Sequence, residues 1–310
     1  MSTNEKLIVL IGPTAVGKTS LSIDIAERFD LDVISGDSMQ VYQDMDILTG
    51  KIKPEETKGI IHHMIDIKKP SESFSVHDFK HEVDDLIDTY HENDKVPFIV
   101  GGTGHYIRAL IYDYDFHDED DQEKRDLMEK FDKLSTTILY GRLKEISEEL
   151  AAGVHPNNRQ RILRQLIKFE LSERISNRVA GKDSNYQETP KYDTFIVGLE
   201  RERSVLYDRI NQRVEDMFEA GIAEETEKLF KEHSLSTTAK GAIGYKEFIP
   251  YFEGECSLNE VKEKIQQNTR QFAKRQLTFF RNQLDVEWYD LDEDESTEQI
   301  FKDISDFLNK

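Results

Sequence analysis

Residues 12–19, Gly12-Pro13-Thr14-Ala15-Val16-Gly17-Lys18-Thr19, constrain this chain more than any other stretch. They match GxxxxGK[ST] at every fixed position. An apolar run from Lys6 to Ile11 precedes them, and an amphipathic segment follows from Ser20. A buried strand, a glycine-bearing turn and a helix in that order make a phosphate-binding loop. Gly12 and Gly17 let the backbone turn tightly, so that several N–H groups and the helix N-terminus converge on one anion. Lys18 adds a mobile positive charge, and the Thr19 hydroxyl can reach a magnesium ion. The candidate anion-binding set is therefore Gly12, Thr14, Ala15, Gly17, Lys18, Thr19 and Ser20. The loop specifies a phosphate without saying whose.

Beyond the loop, short apolar runs alternate with stretches of helical spacing, the pattern of an α/β fold. Leu31–Ile34, Val96–Val100 and Thr194–Leu199 read as buried strands. Leu21, Ile25, Ala26 and Phe29 share one face of the first helix, and Phe74, Val76, Phe79, Val83, Leu86, Ile87 and Tyr90 mark a long one. Ligands of open α/β sheets sit at the C-terminal ends of the strands. That rule brings Asp37 and Ser38, in Ser35–Tyr42, toward the phosphate loop. It does the same for Gly101-Gly102-Thr103-Gly104-His105-Tyr106, a second anion-facing turn or a tight steric bend. Asp37 is a candidate magnesium ligand or general base, with capping of the next helix as an equal alternative. Lys51 is a cation on the loop 47–51. The adjacent His62 and His63 would face opposite ways in a strand, so they make a poor metal pair, and one packed inward is expected.

The net charge of −21, from 41 basic and 62 acidic residues, is adverse to a nucleic-acid partner unless a local basic patch exists. A single cysteine, Cys256, excludes an intramolecular disulfide and fits a reducing compartment. The phosphate loop begins with no targeting segment before it, and no apolar run is long enough for a membrane. A cytoplasmic protein with no obligatory protein partner is the expectation.

Composition changes near Tyr112. The stretch 113–125, rich in Asp and Glu, reads as a solvated connection. Leu134, Ile138, Leu139, Leu143, Ile146 and Leu150 keep helical spacing to Gly153. His155-Pro156-Asn157-Asn158 then opens a helix whose Arg161, Arg164 and Lys168 share a face. Such a stripe is a solvated helix face or a contact for a phosphate backbone, and its density in so acidic a chain favours the second. Residues 174–191, with Gly181, Asp183 and Pro190 as breakers, form the expected return loop. The chain re-enters the core at Thr194. A helix follows, with Leu206, Ile210, Val214, Met217 and Phe218 on its buried side and Arg203, Arg209 and Arg213 elsewhere. A long helix from about Asn259 to Asn282 carries Val261, Ile265, Phe272, Gln276 and Phe279 on one stripe. Arg270, Lys274 and Arg281 lie on another, with Arg275 beside them. The tail 285–298 is acidic.

These stretches carry a resemblance. GPTAVGKT (12–19), SGDSMQVY (35–42), TGK (49–51), HHMIDI (62–67), GGTGHY (101–106), HPNNRQRILR (155–164), AIGYKE (242–247) and TRQFAKRQLTFF (269–280) resemble, in order, the motifs of the tRNA dimethylallyltransferase family, bacterial type. The resemblance spans nearly the whole chain. It implies a P-loop containing nucleoside triphosphate hydrolase-like core, α/β with a parallel sheet, over residues 1–112 and 191–310. It also implies an inserted, mostly helical tRNA-binding domain over 113–190. The implied donor is dimethylallyl diphosphate, the cofactor Mg2+, and the acceptor adenine 37 of the anticodon stem-loop in tRNAs reading codons that begin with U. Asp37, Thr103 and Arg203 match catalytic positions. The glycine-rich loop would hold the diphosphate, with Thr19 and Asp37 as the implied metal contacts. The residues facing tRNA would be Asp37, Ser38, Gln40, Tyr42, Lys51, Arg161, Arg164, Lys168, Lys246, Arg270, Lys274, Arg275 and Gln276. Gly50 and Ile52 stand where Ala and Pro are common, Gln165 where Ala is usual and Phe279 where Trp is often found. His105 replaces a usual Leu beside the diphosphate turn, which makes donor preference the property it bears on.

Chemistry accounts for the implied roles. The N6 lone pair of adenine is delocalised, so a carboxylate that accepts its proton helps bond formation. The allylic carbon ionises easily, and the main demand is to stabilise the departing diphosphate. Two other classes share the loop. A nucleoside or nucleotide kinase would use ATP and needs an arginine-rich lid near the phosphates. A nucleotide-dependent RNA-binding protein would hold tRNA without turnover and leaves Asp37 and Thr103 without a task. Tyr42, Tyr106, Phe272 and Phe279 are aromatics able to receive a base, or core residues.

Overall fold

The apolar run ahead of the phosphate loop is a central strand covered on both faces, which is why it is continuous rather than alternating. In the computed structural model the described residues are 5–113, 121–178, 189–232 and 234–310. Among them, strands β1 (Lys6–Ile11), β2 (Val33–Ser35), β3 (His62–His63), β4 (Phe98–Gly101), β5 (Asp193–Glu200) and β6 (Glu287–Asp290) form one sheet in the order β3-β2-β4-β1-β5-β6. Every pairing is parallel; Ile8, for example, aligns with Phe98 on one side and Phe195 on the other. This is an α/β fold with helices flanking a parallel sheet.

Alternation along β1 divides the core. Leu7, Val9 and Ile11 pack with Val83, Ile87 and Phe280, whereas Ile8 and Leu10 pack with Leu21, Ile25, Ile300 and Ile304. The five side chains from Leu7 to Ile11 have no exposed surface. Each such burial is worth about 1.5–3 kcal/mol, so β1 anchors both layers.

The flanking helices start where local chemistry starts them. In Val76–Glu92, the Ser75 hydroxyl accepts the Asp78 N–H at 3.2 Å, and the Asp78 carboxylate accepts the Ser75 N–H at 2.7 Å. Phe79, Val83, Ile87 and Tyr90 then line the buried side. The same reciprocal cap, Ser257 with Glu260, opens the long helix Leu258–Gln283.

The described residues group into two compact units. The first holds the sheet and comprises those up to Asp113 and from Thr189 onward. Within it the chain leaves and returns at neighbouring points, since the Lys191 N–H donates to Ile111 O at 2.8 Å. The second contains helices Asp121–Asp132, Thr136–Ile146, Glu148–Ala152 and Arg159–Arg178. Its own core includes Leu127, Phe131, Leu139, Leu143, Ile162 and Leu166. Arg159 ties this unit together by donating to Leu134 O at 2.7 Å and Asp132 O at 3.0 Å. The acidic connection at 113–125 and the return loop at 174–191 lie partly outside the described residues.

Two expectations change. The helix anticipated from Leu134 to Gly153 is broken at Ser147, where the backbone is extended and the Oγ caps Glu148–Ala152 by accepting the Leu150 N–H. The acidic tail contains β6, which pairs Val197 with Glu287. Gly198 makes that approach possible, because a Cβ there would lie 2.3 Å from Val286 Cγ1. Among the described residues no helix is long and apolar enough to cross a membrane.

Candidate functional site

The glycine-rich loop leaves β1 and enters the helix Lys18–Phe29 through Gly17, at φ +123°. The loop is pressed onto β5; a Cβ on Gly12 would sit 2.8 Å from Leu199 O. Two arginines from the far end of the chain brace it. Arg201 Nε donates to Val16 O at 2.8 Å, and Arg209 Nε to Ala15 O at 2.9 Å. Lys18 Nζ donates to Gly12 O and Pro13 O, each at 2.9 Å. Burial pushes the Lys18 pKa down to about 8; Asp37 opposes that shift and Arg213 adds to it.

Two further turns meet at the ends of β2 and β4. The Gly36 N–H donates to Val100 O at 2.8 Å, and the Thr103 N–H to Gly36 O at 3.2 Å. Their backbones touch so closely that a Cβ on Gly101 would lie 2.4 Å from Gly36 O. The contact sets Asp37 and Thr103 side by side. Thr103 Oγ1 accepts the Ser38 N–H at 3.0 Å and donates to Ser38 Oγ at 3.3 Å. Asp37 Oδ1 accepts the N–H of Met39 at 2.8 Å and of Gln40 at 3.4 Å. Asp37 therefore holds its own turn through one carboxylate oxygen, the capping role weighed above, on a turn rather than a helix.

Loop and turns open into a cavity of about 710 Å³. Its lining combines Lys18, Thr19, Arg209, Arg213, Asp37 and Thr103 with the apolar side chains of Leu48, Val214, Met217, Ile222, Ile243 and Ile265. Arg213 Nη2 donates to Thr49 O at 3.3 Å, and its guanidinium fills the space beside Gly50, where a Cβ would collide with it. Burial lowers the Arg213 pKa, and Asp37 pulls it back up. A lining that combines cations with apolar side chains suits an amphipathic anion.

Most residues expected at a site line this cavity: Thr14, Ala15, Gly17, Lys18, Thr19, Ser20, Asp37, Ser38, Gln40, Thr103, Lys246, Arg275 and Gln276. Gly12 lies buried behind it. Other residues expected at the site lie elsewhere or are engaged within the protein. Arg203 is exposed in the first turn of the helix Arg203–Glu219 and stacks on Tyr207 at 5.1 Å, outside the cavity, whereas Arg209 and Arg213 of the same helix reach it. Tyr42 is wholly buried in the core and offers no surface to tRNA. Lys51 is almost wholly buried, with Nζ 2.5 Å from both Asp46 Oδ1 and Asp66 Oδ1, so its charge is neutralised internally. Arg270 is bound to Asn211 and lies over Tyr207; Lys274 is exposed outside the cavity. Gln276 lines the cavity wall, but its amide is committed within the protein and not to tRNA: Oε1 accepts the Thr14 N–H and Nε2 donates to Gly102 O, each at 2.9 Å.

Arg161, Arg164 and Lys168 are exposed on their helix in the second unit. Of the four aromatics proposed to receive a base, Phe272 lines the cavity, while Tyr42 and Tyr106 are core residues. Phe279 meets His105 edge-on at 4.7 Å, and neither ring lines the cavity. His63 packs inward, bonded to the Tyr90 hydroxyl at 2.9 Å, and His62 Nδ1 lies 3.0 Å from Ile60 O. Among the described residues no three His, Cys, Asp or Glu side chains gather as a metal site. Arg201 and Arg209 were missed as loop braces, because spacing along the sequence gives no sign that they meet Val16 and Ala15.

Comparison with known proteins gives consistent matches. The family model described as IPP transferase matches residues 40–283. The tRNA dimethylallyltransferase of Macrococcus caseolyticus (strain JCSC5402) is 46% identical over 287 residues, covering 93% of this chain and 91% of the relative. Among solved structures, the full-length tRNA isopentenylpyrophosphate transferase of Bacillus halodurans superposes with a TM-score of 0.73 at 41% identity, covering 98% of this chain and 97% of that one. A eukaryotic dimethylallyltransferase acting on tRNA superposes with a TM-score of 0.77 at 27% identity, covering 98% and 79%.

Proposed function

This chain belongs to the IPP transferase family, and from that premise we propose how its residues work. It transfers a dimethylallyl group from dimethylallyl diphosphate to N6 of adenine 37 in tRNAs that read codons beginning with U. The observation that carries the reading is one cavity in which a phosphate loop, an apolar wall and the Asp37–Thr103 pair adjoin. The diphosphate lies against the loop, Lys18 and Arg213, and the five-carbon chain lies along Leu48, Val214 and Met217. The adenine, turned out of its stack, enters beside Asp37.

As the bond from N6 to the allylic carbon forms, the bond from that carbon to the diphosphate oxygen breaks. The N6 proton passes to the free oxygen of Asp37, whose other oxygen is held by the turn. Lys18, Arg213 and the Thr103 hydroxyl face the charge that leaves with the diphosphate. The apolar wall keeps water from the allylic carbon, where hydrolysis would compete.

Magnesium fits as an ion carried mainly by the donor. Thr19 is exposed and lines the cavity next to Lys18, and an ion held by its hydroxyl would draw its other ligands from diphosphate oxygens and water. When bound, it would supply further neutralisation of the leaving group. Asp37 is left free to serve the amine. On the second unit Arg161, Arg164 and Lys168, and on the first Lys246 and Arg275 at the cavity, are each cations available to a tRNA backbone despite the net charge of −21.

The test is transfer of a radiolabelled dimethylallyl group to unmodified tRNA in the presence of magnesium. Label recovered as N6-(dimethylallyl)adenosine beside the anticodon is the expected result. Unlabelled tRNA, together with phosphate transfer from ATP to a nucleoside, would sink the reading in favour of a kinase.

A further inference from the structure

Gln276 is 7% exposed, midway along the last half of the helix Leu258–Gln283, and both ends of its amide are satisfied. Oε1 takes the N–H of Thr14 in the phosphate loop, and Nε2 gives to the carbonyl of Gly102, the residue before Thr103. These partners lie 262 and 174 positions away in the sequence, on the loop that faces the leaving group and the turn that faces the incoming amine. One side chain thus spans the two halves of the reaction centre. Gly102 is shaped for the span, since a Cβ there would lie 2.4 Å from Nε2. The buried Ala273 and Phe280 fix the helix on either side of it.

We propose that Gln276 is a positioning residue that sets the separation between the diphosphate loop and the Asp37–Thr103 turn. The inference rests on the transfer reading above. An allylic carbon held by its diphosphate must lie in line with N6, and a misplacement of about 1 Å can lower a rate about 100-fold. The Thr14 N–H is engaged by Gln276, so in this arrangement it acts as an anchor for the loop and not as a phosphate donor. Lys18 is bonded to Gly12 O and Pro13 O and Arg213 to Thr49 O, so in this reading they hold the diphosphate without a bond from Gln276. The clip therefore acts on the rate constant for transfer and leaves affinity for the leaving group nearly intact. Phe272 and Arg275, one turn and one residue earlier on the same helix, line the cavity, so a base or backbone seated on them bears on the same clip.

The test uses the full chain with Gln276→Leu and Gln276→Glu, which divide the clip. Leucine removes both bonds, whereas glutamate can still accept from Thr14 but has no donor for Gly102. Three quantities are measured: kcat and donor KM for transfer, affinity for inorganic pyrophosphate by calorimetry, and exchange of the Thr14 amide. The expected outcome for leucine is a kcat about 100-fold lower, pyrophosphate affinity within threefold, and at least tenfold faster Thr14 exchange. Glutamate should keep the Thr14 amide protected and still lose kcat. A kcat within threefold of wild type in both variants overturns the proposal. So does a pyrophosphate affinity that falls in step with kcat, which would make Gln276 a binding residue. If leucine prevents folding, the nearly isosteric glutamate decides on the same criteria. A wild-type chain that transfers nothing to tRNA would instead overturn the functional reading, while Thr14 exchange would still report whether the clip exists.

Discussion

Replacing Asp37 with asparagine separates two tasks of one carboxylate. Oδ1 holds the turn by accepting from Met39 and Gln40, and an asparagine oxygen can make the same two bonds. The negative charge and the ability to take a proton are lost. Removing a positioned general base lowers a rate about 10²–10⁴-fold, or about 3–5 kcal/mol in the barrier. Donor binding should change little, for two effects offset each other. Repulsion between Asp37 and the diphosphate disappears, and so does the support Asp37 gives to the Lys18 proton against burial. Asp37→Ala also forfeits the turn bonds, each worth about 0.5–1.5 kcal/mol. The assay is single-turnover transfer of labelled dimethylallyl to unmodified tRNA, run beside thermal melting. We expect the asparagine variant to lose 10²–10⁴-fold in rate with donor KM within a few fold and Tm unchanged. Alanine should match that loss with a lower Tm. An asparagine variant within tenfold of wild type would show that Asp37 only shapes the turn, and proton acceptance would be refuted.

Lys18 gives a pH dependence. Its pKa is held down at about 8, so the free protein loses this cation as pH rises through 8. The kcat/KM for the donor should fall above that point, and Lys18→Arg should remove the alkaline limb; a flat profile to pH 10 refutes the assignment. Arg213→Gln should raise the donor KM about 10–100-fold, the worth of a charge-assisted hydrogen bond, whereas exposed Arg203→Ala should stay within about twofold. Equal losses in steady-state kinetics would contradict the placement of these two arginines. Gly101→Ala drives a Cβ into backbone at Gly36 and should cost about 1–3 kcal/mol, read as a lower Tm. Gly141→Ala meets nothing within 4 Å on its helix and should raise Tm.

The phosphate loop was legible because its chemistry is local: consecutive residues supply the glycines, the lysine and the helix start. The main helices were legible for a related reason, since their caps and apolar stripes recur at fixed spacing. What escaped depends on rotation and on partners far away in sequence. Arg203, Arg209 and Arg213 are indistinguishable as exposed-side arginines of one helix. Yet Arg209 and Arg213 lie one turn apart on one side, and Arg203 is rotated by about 240° from Arg209. Which side faces the cavity is decided by packing against Leu258–Gln283 and the sheet. Lys51 and Tyr42 look available in SGDSMQVY and TGK, but Asp46 and Asp66 consume the first and the core encloses the second. Strand β6 was hidden because Trp288 and Tyr289 stand among acidic residues, and its pairing relies on Gly198 leaving room. Gln276 fell on an apolar stripe in the sequence, where burial was legible but the two bonds that justify burying an amide were not.

The same loop in another protein could serve phosphoryl transfer, so the specificity must reside in what surrounds it. Here Lys18 and Arg213 are two cations whose pKa values burial lowers, each also held up by Asp37. Bringing cations close together in a partly desolvated site is unfavourable unless an anion joins them. One aspartate compensates only part of that charge. A diphosphate supplies the remainder, and it does so most fully when the bond to carbon has broken and the released group carries its full charge. The electrostatic preference therefore favours the products of ionisation over the intact donor, which is the direction catalysis requires. The apolar lining of Leu48, Val214, Met217 and Ile222 offers a hydrocarbon chain a place that the polar sugar of a nucleoside triphosphate would occupy poorly. In the proposed reaction, loop, arginine and apolar side chains together would turn a phosphate-binding element into one that holds a leaving group.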